Sequence, residues 1–178
     1  SKNFALKDDI DMFDVSEYDS IDGFTGNFDG RGNRIIGLGS KDNIQGYGIF
    51  KTIGKNGSVQ DVKIYSSRIS GGDDINDSTG LLADSNNGTI KDITTFGNRV
   101  EVKDGTGGGL VGTNSGTISN VTTSDIVTSA NGTTLGGIVG TNNKLGTLEH
   151  VTSNSAVVGQ NANALGGVVG ENKGEIQH

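Results

Sequence analysis

The sequence predicts an all-β protein, a parallel β-solenoid with coils of about 28–32 residues and glycine-rich corners. Three observations lead there. A motif recurs: "GGLVGTNSGTISNV" from Gly108, "GGIVGTNNKLGTLEHV" from Gly136 and "GGVVGENKGEIQH" from Gly166, with divergent copies at Gly80 ("GLLADSNNGTIKDI") and Gly48 ("GIFKTIGKNGSVQDV"). Each copy holds short apolar anchors separated by Gly, Asn, Ser and Thr. The chain carries 31 glycines and no proline in 178 residues.

Helices are excluded because their interiors would hold too many glycines and β-branched residues. Short strands with tight corners suit the same residues. One repeat is too small to bury its own apolar face, so neighbours must stack. Aligning the glycine before each aliphatic pair gives Gly48, Gly80, Gly109, Gly137 and Gly167, at spacings of 32, 29, 28 and 30. Later anchors follow in step: Val59, Ile90, Ile118, Leu148 and Ile176, then Val62, Ile93, Val121 and Val151. A fourth set is Ile69, Val100, Ile126 or Val127, and Val157 or Val158.

Stacking places equivalent residues above one another. Within each aliphatic pair at least one member points inward, and the other faces out or sits at a bend, because strand neighbours alternate. The glycines serve corners with positive φ and close backbone approach. Asn87 or Asn86, Asn114, Asn142 or Asn143, and Asn172 fall in register and predict a hydrogen-bonded asparagine ladder. Thr89, Thr117 and Thr147 form a second column.

The chain is read as a single solenoid, with residues 1–46 as N-terminal cap and first coils and 47–178 as the repeats. "FTGNFDGRGNRIIGL" from Phe24 to Leu38 reads as early coil, and the acidic stretch before it as an end cover. Residues 1–22 supply −5 of the net charge of −7. At the other end His178 takes the slot of Asp61, Asp92, Asn120 and His150. The anchor due next is absent, so the expectation is a piece cut from a longer polypeptide, with a frayed or self-associating C-terminal edge.

The motif "GGLVGTNSGTISN" resembles the GLUG-type repeat, and the Phe24–Leu38 stretch is similar to what precedes such repeats in large bacterial surface proteins. The resemblance covers most of residues 24–178. Such repeats occur in immunoglobulin-A-specific zinc metallopeptidases, outside their catalytic domain, and in adhesin-like proteins. The resemblance implies a secreted or cell-wall-associated bacterial protein whose partner is the remainder of a larger polypeptide.

No catalytic residue is expected. The two histidines, His150 and His178, do not form the His-Glu-x-x-His pattern of a zinc peptidase. Without cysteine there is no disulfide framework or thiolate metal site. No cofactor is implied, no basic stripe suggests nucleic acid, and no apolar run is long enough for a membrane helix. The longest repeat carries "SGGDDINDSTG", whose extra residues predict an exposed loop. Gly71, Gly72, Asp73, Asp74, Asn76 and Asp77 form a candidate partner loop, and Asp73, Asp74 and Asp77 are candidate calcium ligands through their carboxylates. Three functions follow in order: a stiff spacer or display scaffold, a module recognising a host glycoprotein or glycan, and a carbohydrate-active β-helix enzyme.

Overall fold

The computed structural model describes residues 2–41, 44 and 45 (backbone), 47–131 and 133–178. Every described strand pair is parallel, and the coils stack as a β-solenoid of about six turns with three sheets along its sides. The first sheet contains Asn3–Ala5, Asn27–Asp29, Ser58–Tyr65, Thr89–Val102, Thr117–Ser129, Thr147–Ser153 and Glu175–Gln177. The second stacks Phe50–Ile53, Ala83–Asn86, Val111–Asn114, Val139–Asn142 and Val169–Asn172. The third stacks Ser78–Gly80, Thr106–Gly108, Thr134–Gly136 and Ala164–Gly166.

One interior column runs through Phe4, Phe28, Val59, Ile90, Ile118, Leu148 and Ile176. Its middle members are fully buried. In the fourth anchor column Val127 is buried while Ile126 faces out, and Val157 packs on the core while Val158 is exposed. The acidic N-terminal stretch is itself a rung, since Ile10 pairs with Ile35 and Asp11 with Ile36. Aromatic rings fill this end, with Phe24 and Phe50 centroids 5.0 Å apart.

One expectation is decided between its two alternatives, and another needs correction. The aliphatic pairs do not split between core and solvent: Leu110 and Val111 are both buried, as are Ile138 and Val139. Leu110 and Ile138 sit at the bend between the third and second sheets, where strict alternation lapses. The motif glycines, moreover, do not supply positive φ. They are needed for close approach: a Cβ at Gly108 would lie 2.0 Å from the Val111 carbonyl oxygen, and one at Gly109 2.2 Å from that of Gly137, one coil on.

Positive φ recurs instead outside the motif, coil after coil, at the first-sheet corner of Asp61, Asp92, Asn120 and His150, with φ between 50° and 56°. Asp, Asn and His tolerate this left-handed conformation better than other side chains. Asn120 also donates from Nδ2 to Asp92 Oδ1 on the coil below, at 3.1 Å. Asn120→Gly is therefore expected to leave stability nearly unchanged, and Asn120→Val to cost about 1–2 kcal/mol. Urea unfolding midpoints check this; equal midpoints for the two variants would contradict it.

Candidate functional site

The asparagine column is a continuous polar feature of the interior. Asn86 Nδ2 donates to Asn114 Oδ1 at 2.8 Å, Asn114 to Asn142 at 2.9 Å, and Asn142 to Asn172 at 2.9 Å. Each turn also closes on its own asparagine: Gly88, Gly116 and Gly174 donate their N–H to the Oδ1 of Asn86, Asn114 and Asn172. Asn86, not Asn87, and Asn142, not Asn143, hold the column. Thr89, Thr117 and Thr147 are likewise register partners.

This register moves one glycine. Gly80 pairs with Gly108, Gly136 and Gly166, one place from Gly109, Gly137 and Gly167. Leu82 then stacks with Leu110. Asp84 falls in the column of Gly112, Gly140 and Gly170, because its neighbours Ala83 and Ser85 pair with Val111 and Thr113.

Asp84 explains the shift in function at that position. A Cβ on Gly112 would collide with Ser78 and Thr79, the third-sheet strand of the coil below. Ser78–Gly80 is the first strand of that sheet among the described residues. A carboxylate fits there, and its Oδ1 accepts the N–H groups of Gly48 and Gly80, both at 3.2 Å. It replaces acceptors that another strand would bring. Oδ2 is buried without a partner. Burial pushes the Asp84 carboxyl up to about 8, against the lowering effect of the Gly48 and Gly80 donors.

The expected loop lies beside Asp84. Its carboxylates serve the loop itself. Asp77 Oδ2 accepts from the N–H of Asp73 (3.0 Å) and Asp74 (3.1 Å). Asp74 Oδ1 accepts from Asn76 N and Nδ2, and Asp73 pairs with Lys103 at 2.9 Å. The next coil pins the base: Lys103 and Asp104 donate to the carbonyls of Gly71 and Gly72. Gly72, at φ 77°, needs its glycine, since a Cβ would lie 2.2 Å from the Asp104 carbonyl oxygen. Among the described residues no three His, Asp or Glu side chains converge as a metal cage. The loop walls a cleft of about 230 Å³ reached by Asn76, Asp77 and Asp84 and by Lys51, which lies 4.4 Å from the Tyr47 ring centre.

A second polar column went unread in the sequence. Leu38 N donates to Ser67 Oγ, Ser67 N to Asn98 Oδ1, Asn98 N to Asp125 Oδ1 and Asp125 N to Ser155 Oγ. Each coil thus caps a backbone donor on the coil below. Asp125 also accepts from Thr95 Oγ1 through Oδ2, and burial raises its carboxyl above the usual range. The recurring small polar residue just before the fourth anchor, in "SSRI", "GNRV", "SDIV" and "NSAV", was the available signal. His150 occupies its corner exposed, 3.6 Å from Glu149.

No family model matches the chain. Halomucin of Haloquadratum walsbyi is 32% identical over 100 residues, which is 53% of this chain and 1% of halomucin. The chain thus spans about a hundredth of that protein's length. The crystal structure of a candidate immunoglobulin A1 protease from Bacteroides ovatus superposes with a TM-score of 0.71. It covers 98% of this chain and 68% of that one at 16% identity, a likeness of fold. No helix among the described residues is long and apolar enough to cross a membrane.

Asp84 generates a pH prediction. Its folded pKa lies above the ordinary 3.8. Between about pH 4 and 8 the unfolded chain releases this proton while the folded chain keeps it, so rising pH favours unfolding. Asp84→Asn retains an acceptor for Gly48 and Gly80 and removes the titration. Its stability relative to the parent chain should climb by a few kcal/mol from pH 4.5 to 8.5. Asp84→Gly, which strands both donors, should be less stable than Asp84→Asn throughout. A pH-independent difference in urea unfolding would refute this.

Proposed function

We propose that this chain is a non-catalytic β-solenoid module of a large extracellular surface protein, secreted or wall-anchored, acting as a stiff spacer or display scaffold for the rest of the polypeptide. The observation that carries this reading is the continuity of the stack. Apolar and asparagine columns pass from coil to coil without interruption, so bending between coils would strain buried hydrogen bonds. The buried carboxyl groups of Asp84 and Asp125 each hold a backbone donor of a neighbouring coil, and Asp84 one of its own coil as well, which is structural work. The match to 1% of halomucin and the protease-like fold neighbour support a segment repeated within, or appended to, a much larger protein. The GLUG-type likeness supports a surface setting.

Stiffness is measurable. Asn3 and Glu175 end one register column seven rungs long. Six intervals of about 4.8 Å separate them by roughly 29 Å. The chain has no cysteine, so Asn3→Cys and Glu175→Cys give a unique pair for spin labels. Pulsed electron–electron resonance should return one narrow distance peak near that value, allowing for label length. A broad or bimodal distribution would mean a hinge and remove the spacer role.

A further inference from the structure

A long open groove of about 850 Å³ follows the corner where the first sheet turns, above the Ser67–Asn98–Asp125–Ser155 column. Arg68 and Arg99 both line it and are direct register partners on adjacent coils. Their backbones are therefore about 4.8 Å apart. Both are exposed, and neither has a carboxylate partner among the described residues. Like charges directly opposite on neighbouring strands are destabilising. In a chain of net charge −7, an unrelieved cation pair on one wall runs against the general charge. Asp125 in the floor turns its oxygens to Thr95 and Asn98, not to the guanidiniums, and burial disfavours its charged form. Glu101, two residues along from Arg99, makes no ion pair with either arginine.

We propose that this groove binds a carboxylate-bearing oligosaccharide, with an acidic sugar held by Arg68 and Arg99. Guanidinium groups grip a carboxylate through paired, charge-assisted hydrogen bonds. The rest of the groove suits sugars. Ser66, Ser124 and Asn154 also line it and offer polar side chains to hydroxyls. Phe13 lies at one end, its ring half exposed, and offers an apolar face to a pyranose. An acidic peptide is the poorer occupant. An extended peptide gains affinity from main-chain pairing at a sheet edge, and here strands such as Arg68–Gly71 and Thr89–Val102 pair with one another along the wall. The volume accommodates several sugar units, at the upper end of ordinary ligand pockets.

The test is calorimetric titration of the whole chain at low salt with tetragalacturonate and with sialyllactose. Methyl-esterified tetragalacturonate and tetraglutamate serve as the neutral and peptide counterparts. At least one acidic sugar should bind saturably, its affinity falling more than tenfold in both Arg68→Gln and Arg99→Gln and staying unchanged in Asp73→Asn. Circular dichroism checks the fold of each variant, and Arg99→Gln should unfold at no lower a urea concentration than the parent chain. Three results would overturn the proposal: no saturable binding of either sugar to about 5 mM; binding indifferent to both arginine variants; or tetraglutamate binding as tightly as the sugars. None of these bears on the spin-label distance, so the spacer role and the groove stand or fall separately.

Discussion

Each buried carboxamide of the asparagine column is satisfied by its copy one coil away and by the turn it closes. Asn114 is fully buried, and its Oδ1 takes a hydrogen from Asn86 while its Nδ2 gives one to Asn142. Shift one coil by a single residue and that chain of bonds breaks, at a cost of about 1–3 kcal/mol for each buried group left unpaired. The apolar columns already exclude a one-residue slip, which would turn them to solvent, but they tolerate exchange among aliphatics. The polar columns make the register unique. Corners, sheets and grooves all take their positions from that constraint.

The same logic explains the departures from the repeat. Glycine recurs where the backbone of another strand sits under the Cβ, as at Gly112. Where the third sheet begins, Asp84 stands in its place and its carboxylate accepts the N–H groups of Gly48 and Gly80. The Ser67–Asn98–Asp125–Ser155 column does comparable work at another corner, with three kinds of side chain over four coils. Any acceptor of suitable length caps the donor below, so chemistry is constrained there and identity is not.

That distinction marks what was legible in the sequence. The solenoid, the coil length and the Asn114–Asn142–Asn172 column were readable because identical residues recur at a nearly fixed interval. The second polar column was not, because Ser, Asn and Asp do one job without resembling each other. Register at Gly80 slipped by one place because adjacent glycine and aliphatic residues align almost equally well either way; only the buried Asn86 decides between them. The role of Asp61, Asp92, Asn120 and His150 was visible as a turn slot, but their left-handed φ is a property of backbone closure. Of the loop, position was legible and purpose was not. Asp73, Asp74 and Asp77 are close in sequence, yet their oxygens face Lys103 and the loop's own amides. The Arg68–Arg99 pair could be seen only once the coils were stacked, being 31 residues apart in the chain and adjacent in space.

Function divides along the same boundary. Inward positions are committed to the stack, and outward ones at corners and loops are free to differ between coils. A scaffold needs the first property and a recognition surface the second, so one chain can supply both. The most direct test of the account is the hydrogen exchange of the asparagine side-chain amides, followed by nuclear magnetic resonance. The Nδ2 protons of Asn86, Asn114 and Asn142 should exchange orders of magnitude more slowly than those of exposed asparagines such as Asn76, and with similar rates to one another, as members of one cooperative unit. Rapid exchange at all three, or widely different rates among them, would contradict the claim that this ladder sets the register of the stack.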